Sequence, residues 1–182
     1  MKPANLALAL SLFVSSSAVC AAARSTCHDE GRYRVIARPT DSVGTDFLVK
    51  QLVRGRSVPA CKYLPRAGDL EIRNENAEYF LGVQGDILIL DSGTAPEPRG
   101  LVLWNLATRQ KVYTGSYSQP VKIDADGMSF WQESGPATDA NCPQAATWRA
   151  QGLGAALESE VRLAFQDMRL SPLGATRCSA RQ

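Results

Sequence analysis

Four of the five cysteines are spaced in a way that suits disulfide bonds rather than thiol chemistry. The C-x-x-C spacing of redox-active thiols does not occur anywhere in the chain. Four cysteines allow three pairings, and we favour Cys27 with Cys61 and Cys142 with Cys178. Each bridge then closes a loop of about 35 residues, which stabilises the fold by about 3–4 kcal/mol. Disulfides persist in oxidising compartments, so the pattern predicts a periplasmic or secreted protein.

The sequence lacks the histidine, serine and glycine patterns of the common enzyme classes. It has one histidine, His28, whereas the H-E-x-x-H type of zinc site needs two. It contains neither a G-x-S-x-G elbow nor a phosphate-binding glycine loop. We therefore expect no metal and no other cofactor, and we interpret His28 as an ordinary polar residue beside a disulfide.

The strongest catalytic candidate is Asp91, which follows an apolar run at residues 87–90 and precedes Ser92, Gly93 and Thr94. This string resembles the D-[ST]-G-[AST] motif of aspartic peptidases, in which two aspartates share a proton and activate a water. The resemblance covers residues 87–94 alone. It implies a homodimer with Asp91 as the catalytic acid and base, and with Ser92 and Gly93 shaping its turn. The alternative is a plain turn, because Asp and Ser bond nearby backbone and Gly permits positive φ.

A second acidic string, Asp124-Ala125-Asp126-Gly127, is similar to part of a calcium-binding loop. An EF-hand loop closes with a glutamate at its twelfth position, and counting from Asp124 that position is Gly135. We therefore predict a hairpin turn here instead of a calcium site.

The strongest binding candidates crowd residues 54–66, which we call the basic loop. They are Arg54, Arg56, Lys62, Tyr63 and Arg66. A basic loop held by Cys61 would suit an anionic envelope component or an acidic patch on a protein. The alternative is a solvated loop with no specific ligand. Trp131 is a further binding candidate, since neighbouring residues of a strand point to opposite sheet faces and Trp131 follows Phe130.

The elements that must position these residues are mostly strands. Alternating apolar residues and β-branched residues predict strands at 33–38, 47–53, 70–73, 79–83, 86–90, 101–106, 111–115, 121–123 and 128–132. Loops rich in Gly and Pro are predicted at 54–69, 92–100 and 133–147. Gln84-Gly85 suits a tight hairpin turn, and the continuous apolar run at 87–90 predicts a strand buried on both faces.

Residues 153–169 fit two structures. Their apolar residues recur at helical spacing, yet part of the segment also alternates as a strand does. We favour a β-hairpin over a C-terminal helix. The predicted fold is then a single, mainly β domain with two disulfides, built as an antiparallel sandwich or a partly open barrel.

The N-terminal residues 1–23 have the features of a signal peptide. Lys2 precedes an apolar stretch at residues 6–14, and Ala21 and Ala23 suit cleavage before Arg24. The mature domain would span residues 24–182 without a transmembrane anchor, because the apolar stretch is too short to cross a bilayer. The alternative is a lipid anchor on Cys20.

The formal net charge of +2 argues against nucleic acid as a partner, because phosphate binding needs concentrated positive charge. By exclusion, the sequence predicts an exported, non-enzymatic binding protein. An inhibitor or immunity-type partner of another envelope protein fits this size and disulfide content. The alternatives are an aspartic-type hydrolase that uses Asp91 and a structural component of the envelope.

Overall fold

The computed structural model describes residues 24–182, so the predicted signal peptide and Cys20 lie outside the described residues. Eleven strands and one short helix follow one another along this part of the chain. They are β1 (Thr26–Glu30), β2 (Tyr33–Pro39), β3 (Thr45–Gln51), β4 (Leu70–Ile72), β5 (Glu78–Gln84), β6 (Ile87–Ser92), β7 (Arg99–Asn105), β8 (Gln110–Ile123), β9 (Gly127–Pro136), α1 (Ala145–Ala150), β10 (Gly154–Ala164) and β11 (Leu170–Arg181).

The strands form two sheets in which every strand pairs with the strand next to it in sequence. The first sheet has the order β1-β2-β3-β4, and the second runs from β5 to β11. All of these pairings are antiparallel. The predicted mainly β, antiparallel fold, a sandwich or partly open barrel, is confirmed, since the chain forms two antiparallel sheets and not a closed barrel.

The core lies on both faces of β6 and β7. Leu88 and Leu90 face the first sheet, where they join a cluster that includes Val35 and Phe47. Ile87 and Ile89 point the opposite way, and they join a second cluster with residues of β7 to β10. The prediction that this apolar run is buried on both faces is confirmed, since Ile87 is only 6% exposed and the next three residues are fully buried.

Both favoured disulfide pairings are confirmed. Cys27 on β1 is bonded to Cys61 in the basic loop. Cys142, which precedes α1, is bonded to Cys178 on β11. Two disulfides are typical of proteins outside the cytoplasm. Within residues 24–182, the structure contains no helix with the length and apolar character that crossing a membrane requires.

The C-terminal segment is the β10–β11 hairpin, as favoured, and the helix lies just before it. Residues 133–147 were expected to be a loop, but β9 extends through Pro136 and α1 begins at Ala145. Ala145 is completely buried beside Cys142. A helix this short depends on tertiary packing of this kind, because its own hydrogen bonds do not compensate for the cost of nucleation.

Three other details differ from the sequence predictions. β1 was not predicted, because its polar residues give an edge strand with no apolar alternation. β8 is one 14-residue strand instead of two short ones. The turn between β5 and β6 consists of Gly85 and Asp86, one residue later than expected, since Gln84 pairs with Ile87. Gly85 has φ +58°, a conformation that glycine adopts without strain.

Candidate functional site

The basic loop crosses the outer face of β2 and β3. Ile36 and Leu48 are paired across these strands and are completely buried, and Lys50 lies two residues beyond Leu48 on the same face. The Lys50 side chain is only 9% exposed, and its ammonium group donates a 2.9 Å hydrogen bond to the carbonyl of Leu64. It also forms an ion pair with Asp69. Lys50 therefore holds the far end of the loop against the sheet.

Three further contacts fix the shape of the basic loop. The Cys27–Cys61 disulfide joins its middle to β1. Arg34 donates a hydrogen bond to the carbonyl of Pro59. The Tyr63 hydroxyl lies 3.4 Å from the carbonyl oxygen of Phe47, to which it donates. Covalent and polar contacts therefore hold the loop from Pro59 to Leu64, although it contains no regular secondary structure.

A cleft of about 510 Å³ opens between the basic loop, the end of β3 and residues 67–69, which precede β4. Its basic residues are Lys50, Arg56, Lys62 and Arg66, and its only carboxylate is Asp69, which is paired with Lys50. We call this the basic cleft. Within residues 24–182, Arg56, Lys62 and Arg66 form no ion pair. Three exposed positive charges thus share one concave surface without a counter-charge, which suits an anion.

Two residues of the predicted binding set lie on the basic loop but outside the lining of the basic cleft. Arg54 is exposed and does not line the cleft. Tyr63 packs against the Arg38 guanidinium, whose central carbon is 3.9 Å from the ring centre. The guanidinium carbon of Arg73 lies 5.8 Å from the same ring centre. Burial raises the pKa of Tyr63. Tyr63 is therefore part of the support of the loop, and Arg54 offers a natural control for experiments on the cleft.

The last predicted binding residue, Trp131, lies on β9 in the other sheet. The Arg177 guanidinium lies over its ring at 4.4 Å, a favourable cation–π distance. The same Arg177 donates a 2.6 Å hydrogen bond to Glu158. The structure therefore separates Trp131 from the basic cleft and covers its ring with a side chain of the same chain.

Both carboxylate oxygens of Asp91, the catalytic candidate, are occupied by side chains of the same chain. Arg99 Nε lies 2.7 and 2.9 Å from the two oxygens, and Arg99 Nη2 contacts the second. The Tyr117 hydroxyl donates a 2.9 Å hydrogen bond to the first. Burial, followed by this hydrogen bond, raises the pKa of Tyr117 to about 12. This arrangement links β6, β7 and β8, and it lends no support to the peptidase hypothesis.

Asp124 lies in the turn between β8 and β9, as predicted. Its carboxylate accepts hydrogen bonds from Arg162 at 2.7 and 2.9 Å and from the backbone N–H groups of Asp126 and Gly127. The Arg162 hydrogen bonds, followed by the backbone ones, lower the pKa of Asp124 to about 2. The Asp124 carboxylate therefore stabilises the turn by accepting these hydrogen bonds.

His28, the lone histidine, joins the two sheets. Its ring stacks on Phe80 of β5 with centres 3.7 Å apart and planes inclined by 13°. β1 and β5 are edge strands of different sheets, so this stack closes one side of the sandwich. The contact gives His28 a packing role next to the Cys27 disulfide.

Glu158, which was not among the predicted site residues, is completely buried on β10. Arg177 and Arg181 each donate a 2.6 Å hydrogen bond to its carboxylate. Burial alone would raise the pKa of Glu158, but the nearby Ser118 hydroxyl and the two guanidinium groups outweigh burial and lower it. Alternation from the buried residues Val161 and Leu163 places Glu158 on the outer face, and a register shift between Ser159 and Val161 turns it inwards.

Lys50 and the apolar part of the basic cleft were also absent from the predicted site. A lysine directly after the buried residues 47–49 indicates that Lys50 has a partner, since lysine is rarely buried without one. Val58 and Leu64 line the cleft beside its cations, and nothing in the sequence distinguishes them from core residues. A comparison of the chain with protein-family models, curated proteins and solved structures gives no match.

Proposed function

We propose that this chain is an exported, non-enzymatic binding protein whose basic cleft takes an acidic segment of a partner protein. One observation supports this most: Arg56, Lys62 and Arg66 have no counter-charge among residues 24–182, yet a loop held by a disulfide and hydrogen bonds arranges them around one concave surface. An inhibitor or immunity-type partner of another periplasmic or secreted protein would use such a surface. The two disulfides support export of the chain.

The order of the loop matters for this proposal. Long basic side chains on a mobile loop lose conformational entropy when they bind, which reduces affinity. Here the disulfide, the Lys50–Asp69 ion pair and the Arg34 hydrogen bond already hold the backbone. The loop therefore presents its charges in a fixed arrangement, which favours specific binding over nonspecific attraction.

The test measures binding of a fluorescent hexaglutamate peptide by anisotropy at low and physiological salt. We expect the triple variant Arg56→Gln, Lys62→Gln, Arg66→Gln to bind about 30-fold more weakly, because three exposed charge pairs of about 0.7 kcal/mol each contribute about 2 kcal/mol. Arg54→Gln, on the same loop but outside the cleft, should change the affinity by less than about 1.5-fold. A loss of about threefold in Arg54→Gln, which is one third of the free-energy loss of the triple variant, would mean that net charge, and not the cleft, determines binding.

A second pair of variants tests the contribution of loop order. Replacing Cys27 and Cys61 with serine should weaken peptide binding, because the released loop must be ordered again on binding. Replacing Cys142 and Cys178 with serine removes a disulfide of similar loop length at the other end of the molecule. This control should leave binding unchanged while its near-ultraviolet circular dichroism shows a folded protein. If the two pairs weaken binding alike, loop order has no specific role.

A further inference from the structure

The basic cleft combines its cations with exposed apolar side chains. Val58 is 54% exposed and Leu64 is 59% exposed, and both line the same cleft as Arg56, Lys62 and Arg66. Neither belongs to one of the two core clusters. The contacts that fix the basic loop therefore hold two aliphatic side chains in water beside three free positive charges.

A ligand that complements this surface must carry both negative charge and an apolar group. Carboxylates satisfy Arg56, Lys62 and Arg66, whereas only an apolar group removes Val58 and Leu64 from water. The surface is concave, so the matching group has to enter it. A flat bilayer surface contacts protruding side chains instead, which makes a peptide segment the better complement than a membrane.

We infer that the basic cleft takes an acidic peptide segment that also contains an aliphatic residue. The carboxylates lie against the three cations, and the aliphatic side chain packs on Val58 and Leu64. This inference rests on the proposed function and specifies the chemistry of the segment. Charge complementarity selects acidic sequences, and the apolar contact selects among them those with an aliphatic side chain.

The test is a double-mutant cycle with two synthetic peptides and isothermal titration calorimetry. One peptide has the sequence Glu-Asp-Leu-Glu-Asp, and the other has serine in place of leucine. We expect the wild-type protein to bind the leucine peptide about 5- to 10-fold more tightly, as partial burial of a leucine side chain predicts. In Leu64→Ser this ratio should fall close to one. Val43→Ser, at a residue that is 58% exposed elsewhere, should preserve the ratio.

The outcomes separate this inference from the proposed function. Equal binding of both peptides to the wild-type protein, with loss of both in the Arg56, Lys62, Arg66 triple variant, would overturn the inference and leave the proposed function standing. Binding that is unaffected by the triple variant would overturn both. A third arm uses phosphatidylcholine vesicles with and without phosphatidylglycerol. Binding to the anionic vesicles that depends on Leu64, without peptide binding, would assign the cleft to a membrane surface and refute the inference.

Discussion

The Asp91→Asn variant distinguishes a structural role of this residue from a catalytic one. An asparagine has the same shape but has no charge, and it replaces one carboxylate oxygen with an NH2 group, which donates hydrogen bonds but cannot accept them. Arg99 now faces both oxygens of Asp91, and Tyr117 donates to one of them. After the change, at least one Arg99 N–H faces the NH2 group of asparagine and loses its hydrogen-bond acceptor.

The structure gives the size of the expected effect. Charge-assisted hydrogen bonds contribute about 1.5–3 kcal/mol each, against about 0.5–1.5 kcal/mol for neutral ones. The side chains of Arg99 and Asp91 are 19% and 15% exposed, so water compensates only partly for the lost contacts. We expect the free energy of unfolding to fall by about 2–3 kcal/mol. For a domain of this size that corresponds to a fall in Tm of about 5–10 °C.

The assays are denaturant unfolding and a peptide-cleavage assay at acid pH. Asp41→Asn is the matched control, because Asp41 is exposed and should change stability by less than about 0.5 kcal/mol. A loss of stability in Asp91→Asn alone, with no cleavage by either protein, supports the structural role. The reasoning is refuted if Asp91→Asn keeps its full stability, and a wild-type cleavage activity that this variant loses would restore the hydrolase hypothesis.

Two further predictions concern buried ionisable groups. Glu158→Gln should lower the free energy of unfolding by about 3 kcal/mol, because it leaves two guanidinium groups without their buried counter-charge. The control Glu160→Gln, on the same strand, should have little effect in the same denaturant titration. Because folding raises the pKa of Tyr117, its neutral hydroxyl stabilises the folded protein. This contribution is fully present below pH 10.0, the ordinary pKa of tyrosine, and is lost as the pH rises through about 12. A spectrophotometric titration of the wild type minus Tyr117→Phe should show a midpoint near 12, and a midpoint near 10 would contradict the buried hydrogen bond.

The β fold and most of its strands were predictable from local sequence. Strong alternation and continuous apolar runs, as in residues 87–90, report burial directly, because each such residue packs into the core whatever its partners are. β1 and the middle of β8 were missed for the complementary reason. Their residues are polar or half exposed, and they pair because a neighbouring strand offers free hydrogen-bonding groups.

The candidate site was predicted only in part. A run of basic residues in a loop beside a cysteine is visible in the sequence, and Arg56, Lys62 and Arg66 do line one cleft. Trp131 was proposed as a separate candidate from strand alternation beside Phe130, and the structure places it in the other sheet with the Arg177 guanidinium over its ring. The interpretation of Asp91 failed to foresee Arg99 and Tyr117, because hydrogen-bond partners from neighbouring strands depend on register.

The fold class and the loop that gathers positive charge follow from the amino-acid sequence, because composition and local periodicity encode these properties. The sequence allows three disulfide pairings, and the folded chain selects the favoured one, as it also selects which charges remain unpaired. Arg34, Arg99 and Arg177 find acidic partners across strands or hairpins, whereas Arg56 and Lys62 find none among the described residues. Charge pairing depends on distances between residues that are remote in sequence, so the basic cleft exists only once the end of β3, Asp69 and the basic loop have come together.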